Sequence, residues 1–317
     1  MFFKKNSPHP ATAKPLPLPN SSAEAPIYIL GTDPLARFLG ARLTAAEYRV
    51  VFLSATHNTK YTLNVQVKED HNLNRHKYAL PTDFRLRETP LFLLITEPVY
   101  RLNAALTTLS PSRLNDSPIL CFTPLLSAAL PQAIAGHPII NAGFDGFLTQ
   151  DGETVLLQGR APSVEIGDDG TESALTLIKK VFENAKLSNL SFLPPERVFW
   201  NFFAAYALGA LSAGAADTNL FQLLKDKTWR QRLENGAREL AALANAEKTP
   251  LTTDDIMKKI HAVPLNYQYD LQAEFRRGNP GPLDFIASTI TGTARRHGLK
   301  TPELRNLLNN LYNIILA

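Results

Sequence analysis

The sequence predicts a two-domain protein in which an α/β domain with a parallel sheet precedes an all-helical domain. Short apolar runs of the buried-strand type recur up to residue 167, and helical periodicity dominates after Pro195. A chain of 317 residues is also too long for one ordinary core and long enough for two. We place the α/β domain at residues 26–185 and the helical domain at 186–317, after a leader, 1–25, that we expect to be disordered.

The first strand, helix and second strand form one βαβ unit. The apolar run Ile27–Leu30 ends at Gly31, a helical period of leucines follows from Leu35 to Leu43, and a second apolar run occupies 48–53. Because a crossover of this kind joins parallel neighbours, the unit predicts a parallel sheet.

Further strands and helices follow the same reasoning. Residues 61–86 indicate short strands with loops, and 100–109 carry a helical period. Asp151-Gly152 predicts a hairpin turn, and a helix is expected at about 172–185. The remaining strands are predicted at 90–96, 117–122, 138–140, 146–148, 154–157 and 163–167.

Composition argues against several classes of protein. The 33 basic and 29 acidic residues are spread along the chain, so the net charge of +4 does not indicate nucleic-acid binding. No apolar run approaches the roughly 18 residues of a membrane span. The single cysteine, Cys121, fits a reducing compartment, the leader has no signal-peptide core, and we predict a cytoplasmic protein. The histidines show no ligand spacing, which predicts no metal site.

The first βα turn, Gly31-Thr32-Asp33-Pro34-Leu35-Ala36, stands where a Rossmann-like domain carries G-x-G-x-x-G. Only the first glycine is present, and Ala36 is a tolerable third. Asp33 places a negative charge where pyrophosphate would bind, and we interpret it as a helix N-cap followed by proline. Our candidate cofactor-binding residues are Gly31, Thr32, Leu35, Ala36, Ser54 and Thr96.

The end of the second strand bears on the choice of cofactor. No acidic residue that would bind a ribose 2′-hydroxyl follows Leu53, which disfavours NAD. NADP(H) is weakly allowed, since His57 and Lys60 are the cations nearby. The cofactor expected, if one binds, is therefore NADP(H).

Taken together, these features resemble a ketopantoate reductase over residues 27–315. The resemblance is carried by the first turn with 39–43, by LFLLITEPVYRLNAALTTLSP, by the hairpin closing on 163–167, and by LQAEFRRGNPGPLDFIASTITGTARRHGLKTPELRNLL. It implies a Rossmann-like domain followed by a helical domain of the ketopantoate reductase type. It also implies NADPH-dependent reduction of a 2-keto acid, as in the pantothenate pathway, and leaves a homodimer open.

The chain departs from the family where the chemistry resides. Relative to the family's pattern, Phe202 stands at the lysine of the first long helix of the second domain, and Tyr206 at an asparagine one turn later. Pro282 stands at an acidic residue, and Pro124-Leu125 at an Asn-Gly pair. Reducing a ketone builds negative charge on its oxygen, and losing a group that meets this charge costs a factor of roughly 100 to 10,000. We therefore expect a divergent member without reductase activity, and no catalytic residue is assigned.

Two alternatives stay open. In the first, the chain is an NADPH-dependent reductase whose catalytic acid has moved to another position, and the candidates for that acid are Asp270, Glu274 and Asp284. For each of the three, a solvated helix residue is the favoured interpretation. In the second, the chain is a structural protein that keeps only a dimerisation surface.

An aromatic stripe in the helical domain has two readings as well. Trp200, Phe202, Phe203 and Tyr206 recur at helical spacing and could form a ligand box. Core packing is the favoured interpretation, because aromatic stripes on helices usually pack inside the domain.

Overall fold

The computed structural model describes residues 25–53, 62–69, 72–106, 113–122, 134, 137–168, 170 and 172–316. Most of the predicted leader, the candidate cofactor residue Ser54 and the Pro124-Leu125 pair lie outside these residues.

The strands of the described residues form a single sheet in the order β3-β4-β2-β1-β5-β6-β7-β8-β9. Neighbours from β4 through to β7 are parallel, which confirms the predicted parallel sheet. The strands are β1 (Ile27–Leu30), β2 (Val50–Leu53), β3 (Thr62–Glu69), β4 (Asn72–Asp83), β5 (Phe92–Ile95), β6 (Ile119–Cys121), β7 (Ile139–Asp151), β8 (Thr154–Gly167) and β9 (Leu190–Leu193).

Two regions are more regular than expected. Where short strands with loops are predicted at 61–86, Thr62–Glu69 and Asn72–Asp83 pair as the two antiparallel strands β3 and β4. The four short strands predicted between 138 and 167 are two long ones, β7 and β8. A register shift between Asp145 and Phe147 interrupts the alternation of side chains there, as a β-bulge does, and makes one strand look like two in sequence. The hairpin turn is confirmed, with Gly152 at φ 56°.

The outer half of the β7–β8 hairpin also pairs with β3. Gln66 to Glu69 lie parallel to Thr154 to Leu157, so β3 has β4 on one side and β8 on the other. This pairing, which joins two distant parts of the sheet, was not predicted.

The helices of the described residues fall into two groups. In the α/β domain these are α1 (Pro34–Ala45), α2 (Val99–Leu106) and α3 (Glu172–Asn184). The helical domain contains α4 (Pro195–Ala215), α5 (Leu220–Lys225), α6 (Lys227–Ala246), α7 (Thr253–Ala262), α8 (Asp270–Arg276), α9 (Gly281–His297) and α10 (Pro302–Leu316). Strand β9 was not predicted. It pairs with β8 and continues the sheet to Leu193, past residue 185 where the sequence analysis puts the domain boundary.

Helix α4 is the central helix of the second domain and also contacts β7 and β8. By length and composition it could cross a membrane, yet 67% of its most apolar window is buried inside the protein. Trp200, Phe203 and Leu211 on this helix are fully buried. A helix that is apolar on all sides and covered in this way is a core helix.

Candidate functional site

Asp33 caps helix α1 at the carboxyl end of β1. Its Oδ1 accepts hydrogen bonds from the backbone N–H of Leu35 at 2.8 Å and of Ala36 at 3.0 Å, and Pro34 is the first helical residue. The interpretation of Asp33 as an N-cap is therefore confirmed.

The space above Gly31 is closed by neighbouring groups. Gly31 has φ 133°, and a Cβ added there would lie 3.1 Å from the backbone nitrogen of Glu97 and 3.2 Å from Asp33 Oδ2. The Thr96 hydroxyl would contact it as well. Only glycine fits this backbone, because the residues after β5 and the Asp33 carboxylate both lie close to the position that a Cβ would take.

The predicted cofactor residues within the described chain do converge at this turn. Thr96, Leu35 and Ala36 surround Gly31 and Asp33, while the Thr32 carbonyl accepts a bond from Arg37 Nε at 2.8 Å. The Leu35 and Ala36 N–H groups, however, bind the Asp33 carboxylate.

These residues do not fit a dinucleotide pyrophosphate. Such a group needs free N–H donors at the helix start and a close approach to the backbone. Here Asp33 occupies the N–H groups of Leu35 and Ala36. Burial raises the pKa of Asp33, and burial together with the charge of Asp33 raises the pKa of Glu97. A phosphate would add negative charge to a place that already destabilises two carboxylates.

A pocket of about 110 Å³ lies between the domains. It is enclosed by β7 and β8 of the α/β domain and by α4, α7 and the segment before α8 of the helical domain. Its wall is aromatic and consists of Phe144, Phe147, Phe202, Tyr206, Tyr267 and Tyr269.

Five of these six rings, all except Phe144, form a chain of ring contacts. Phe202 stacks on Tyr206 with centroids 5.8 Å apart, and Tyr206 meets Tyr269 at 6.1 Å. Tyr267 lies edge-on to Tyr269 at 5.2 Å and to Phe147 at 5.4 Å. Both domains thus contribute to one continuous aromatic wall.

The aromatic stripe of α4 is divided between core and pocket. Trp200 and Phe203 are fully buried, which confirms the core interpretation for them. For Phe202 and Tyr206 that interpretation is incomplete, because both are half-buried and line the pocket. The difference follows from the helix, whose successive residues face different neighbours.

Three polar residues also line the pocket and contact one another. Asn201 Nδ2 donates to Glu165 Oε2 at 3.0 Å, and Lys259 Nζ donates to the Asn201 carbonyl at 3.0 Å. Lys259 Nζ also lies 3.9 Å from Glu165 Oε1. Sequence reasoning did not identify Lys259 and Glu165 as pocket residues, because strand β8 and helix α7 come together only in the folded chain.

Tyr206 leads from the pocket to Asp270. The Tyr206 hydroxyl donates to Asp270 Oδ1 at 2.6 Å, and the Leu271 N–H donates to the same oxygen at 2.9 Å. Burial raises the pKa of Asp270, although the bond from Tyr206 opposes the shift. Burial and the Asp270 charge also raise the pKa of Tyr206. Asp270 is thus the candidate acid closest to the pocket.

The candidate Glu274 serves a different purpose. It is buried and accepts bonds from Arg101 at 2.9 Å, Arg277 at 2.7 Å and Asn279 at 2.6 Å. Burial alone would raise its pKa, but the three donors outweigh burial and lower it. The expectation of a solvated residue is therefore wrong for Glu274. As a carboxylate it forms an ion pair that connects α8 to Arg101 of α2 in the first domain.

The candidate Asp284 is exposed and accepts a bond from the Tyr312 hydroxyl at 2.8 Å, as expected of a surface helix residue. Pro282, two positions before it, is buried at the start of α9. Among the described residues, no group of three or more His, Cys, Asp or Glu side chains could hold a metal ion.

Comparison with known proteins covers both domains. Residues 196–314 match the family model described as ketopantoate reductase PanE/ApbA C terminal. No curated protein sequence matches the chain significantly.

Solved structures share the fold over nearly the whole chain. A D-mandelate dehydrogenase in complex with NADH and anilino(oxo)acetate has a TM-score of 0.74 at 16% identity, over 91% of this chain and 97% of that one. A 2-dehydropantoate 2-reductase from Geobacter metallireducens GS-15 has a TM-score of 0.74 at 18% identity, over 91% and 99%. A dimeric ketopantoate reductase from Staphylococcus aureus has a TM-score of 0.70 at 13% identity, over 90% and 97%.

At these identities the solved structures establish the fold, and the family model shows what the second domain is similar to in sequence. The resemblance expected from the sequence is thereby confirmed: the chain has the ketopantoate reductase fold, a Rossmann-like domain followed by a helical domain that matches the ketopantoate reductase C-terminal model over residues 196–314.

Proposed function

We propose that this chain is a divergent ketopantoate reductase-like protein that lacks reductase activity and keeps the pocket between its domains as a ligand-binding site. The observation that carries the proposal is the aromatic wall. Phe202 and Tyr206 stand where the resemblance places a lysine and an asparagine, and their rings stack along the pocket.

The chemistry of ketone reduction supports this reading. The carbonyl oxygen gains negative charge as hydride arrives, and a cation or a proton donor must meet that charge. The Tyr206 hydroxyl already donates a hydrogen bond to Asp270, and burial and the Asp270 charge raise its pKa, which makes it a weaker acid than a free phenol. The ammonium of Lys259 donates to the Asn201 carbonyl beside the Glu165 carboxylate.

The first turn supports it independently. A dinucleotide would have to displace Asp33 from the N–H groups of Leu35 and Ala36 and overcome its charge. An enzyme of this fold needs its hydride donor, so a turn that repels the donor counts against reductase activity.

A second candidate function is NADPH-dependent reduction of a 2-keto acid with re-sited catalytic groups. Lys259 is the observation that favours it, since its ammonium reaches the pocket from α7. If the side chain left the Asn201 carbonyl, it could face a developing alkoxide from a new direction.

Two measurements test the leading proposal against this alternative. The first is NADPH titration by fluorescence with wild-type protein and Asp33→Gly, where we expect no binding to wild type and recovered binding in the variant. The second is NADPH consumption with a panel of 2-keto acids, including 2-dehydropantoate. Turnover at an ordinary enzyme rate refutes the leading proposal, and turnover lost in Lys259→Met would establish the alternative.

Two further expectations accompany the proposal. We propose a cytoplasmic protein and, by analogy with the dimeric Staphylococcus aureus reductase, a homodimer. Analytical ultracentrifugation of the full chain measures the second directly, and a single monomeric species would contradict it.

A further inference from the structure

We propose that the pocket between the domains binds a small uncharged aromatic compound instead of the anion of a 2-keto acid. The inference rests on the proposed function only in treating this pocket as the ligand site, and it names the chemical class of the ligand.

The geometry of the aromatic wall is the first reason. Phe202 and Tyr206 are nearly parallel, with 14° between their planes, whereas Tyr267 stands at 90° to Tyr269 and at 71° to Phe147. Aromatic rings prefer these two arrangements, offset-stacked and edge-to-face, and gain energy from them beyond the burial of apolar area. A flat ring that enters the pocket can meet its wall in both ways, which favours an aromatic ligand over a saturated one.

The charged side chains of the lining are already engaged, which is the second reason. Lys259 Nζ donates to the Asn201 carbonyl at 3.0 Å and lies 3.9 Å from Glu165 Oε1, and Glu165 Oε2 accepts from the Asn201 amide at 3.0 Å. Asp145, the other carboxylate of the lining within the described residues, also has an interaction partner. Among the described residues, no charged group of the lining is therefore free to pair with a ligand.

A charged ligand would have to break these interactions. A carboxylate would draw Lys259 away from Glu165, and an ammonium group would draw Glu165 away from Lys259. In either case a partly buried charge of the protein loses its partner, which is unfavourable. The Tyr206 hydroxyl does not help an anion, because its proton is directed at Asp270. An uncharged ligand leaves all of these contacts intact.

The size of the pocket limits the ligand to one ring. Its volume is about 110 Å³, and an apolar cavity of roughly 150 Å³ holds one benzene molecule. The pocket is also partly open to solvent, so a short polar substituent on the ring can stay hydrated. The ligand class is thus a single aromatic ring with a small uncharged substituent.

Four probes of matched size separate the possible ligand classes. Benzamide is the uncharged aromatic probe. Benzoate and the benzamidinium cation have the same ring and a planar head group of the same shape, but they carry opposite charges at neutral pH. Cyclohexanecarboxamide keeps the head group of benzamide and has no aromatic ring.

Ligand-observed NMR titration of the full-length protein with each probe, in the absence of nucleotide, tests the proposal. We expect benzamide to bind about tenfold more tightly than benzoate and benzamidinium, because an unpaired charge is costlier to bury than an amide. It should bind about threefold more tightly than cyclohexanecarboxamide, because only a ring gains from the aromatic wall. Absence of benzamide binding, or equal or tighter binding of any other probe, overturns the proposal.

Substitution of Phe202 tests the aromatic wall. Phe202→Leu keeps an apolar side chain but removes the ring that stacks on Tyr206, and benzamide should bind roughly threefold to tenfold more weakly. Phe221→Leu, the same substitution on α5 outside the pocket, should not change the affinity. Thermal melts establish that the variants are folded, and Phe147→Leu on β7 makes the same test from the other domain if Phe202→Leu does not fold. Equal effects inside and outside the pocket contradict the proposal.

Substitution of the ion pair tests why charged ligands are excluded. Glu165→Gln leaves Lys259 without its carboxylate and should reduce the preference for benzamide over benzoate. Lys259→Met leaves Glu165 without its ammonium and should reduce the preference for benzamide over benzamidinium. If neither preference changes, the ion pair does not determine the charge of the ligand and the proposal is wrong.

Failure of this inference can be told apart from failure of the proposed function. A protein that binds benzamide and also reduces a 2-keto acid with NADPH keeps the ligand class and loses the claim of inactivity. A protein that does neither keeps the claim of inactivity and loses the ligand class.

Discussion

We expect Asp33→Asn to keep the stability of the protein at neutral pH, whereas Asp33→Ala should be less stable than Asp33→Asn. Asparagine is as good an N-cap as aspartate, and its amide oxygen can accept from Leu35 and Ala36 as Asp33 Oδ1 does at 2.8 and 3.0 Å. Alanine loses both bonds. The expected difference between Asp33→Asn and Asp33→Ala is about 1 kcal/mol in the free energy of unfolding.

The negative charge of Asp33 affects stability separately from the hydrogen bonds with which its side chain caps α1. Burial raises its pKa from the ordinary value of 3.8, so the native state holds this proton more tightly than the unfolded state does. The contribution of Asp33 to the free energy of unfolding is therefore at its maximum below the pKa of the unfolded state. It falls as the pH rises through the pKa of the native state. Asp33→Asn removes this dependence, and the variant should gain on wild type as pH rises from 3.5 to 7.

Urea unfolding of wild type, Asp33→Asn and Asp33→Ala at several pH values measures both effects. The reasoning is refuted if Asp33→Asn is destabilised as much as Asp33→Ala at pH 7. In that case the carboxylate would be stabilised by the helix N-terminus more than burial destabilises it, and the first turn would be a good anion site after all.

Two further predictions concern the framework around the site. Glu274→Gln should lower the free energy of unfolding by about 2 kcal/mol at pH 7, because charge-assisted bonds to Arg101 and Arg277 are weakened, while the exposed Glu234→Gln should not. Because the pKa of Glu274 is lowered from 4.5, its contribution to stability is present above that value and is lost as the pH falls through the native pKa. The difference between wild type and variant should therefore shrink on acidification, and a constant difference in urea unfolding would contradict this. Gly40→Ala should destabilise by about 1–3 kcal/mol, because the new Cβ would lie 2.6 Å from Cζ of the fully buried Phe52. Gly292→Ala on α9, whose new Cβ would meet only a side-chain atom of Arg296 at 3.7 Å, should stabilise the protein by about 0.5–1 kcal/mol. Thermal unfolding of both glycine variants measures the difference, and equal effects of the two substitutions would argue against the packing around Phe52.

Local features of the fold were predictable because their cause is local. The Asp33-Pro34 pair predicts the start of a helix and the Asp151-Gly152 pair predicts a hairpin, and both are found in the structure. Strand β9 was missed because its four residues are only partly buried and lack the clear apolar run of β1.

The pocket was less predictable because its walls come from distant parts of the chain. Phe202 and Tyr206 could be placed by comparison with the family's pattern. Lys259 could not, since a lysine on an amphipathic helix is ordinarily a surface residue, and only the packing of α7 beside α4 brings its ammonium to Asn201. The ion pair of Glu274 could not be predicted for the same reason, because its partner Arg101 lies 173 residues earlier in the chain.

From the pairing of β3 with β8 we expect a consequence for folding during synthesis of the chain. β3 gains its first neighbour, β4, almost at once, but Gln66 and its partner Thr154 are separated by 88 residues. During that interval one edge of β3 remains open to any extended peptide nearby, and such edges promote association between chains. Translation products that stop before Thr154 should therefore aggregate more readily than products that stop soon after Leu157.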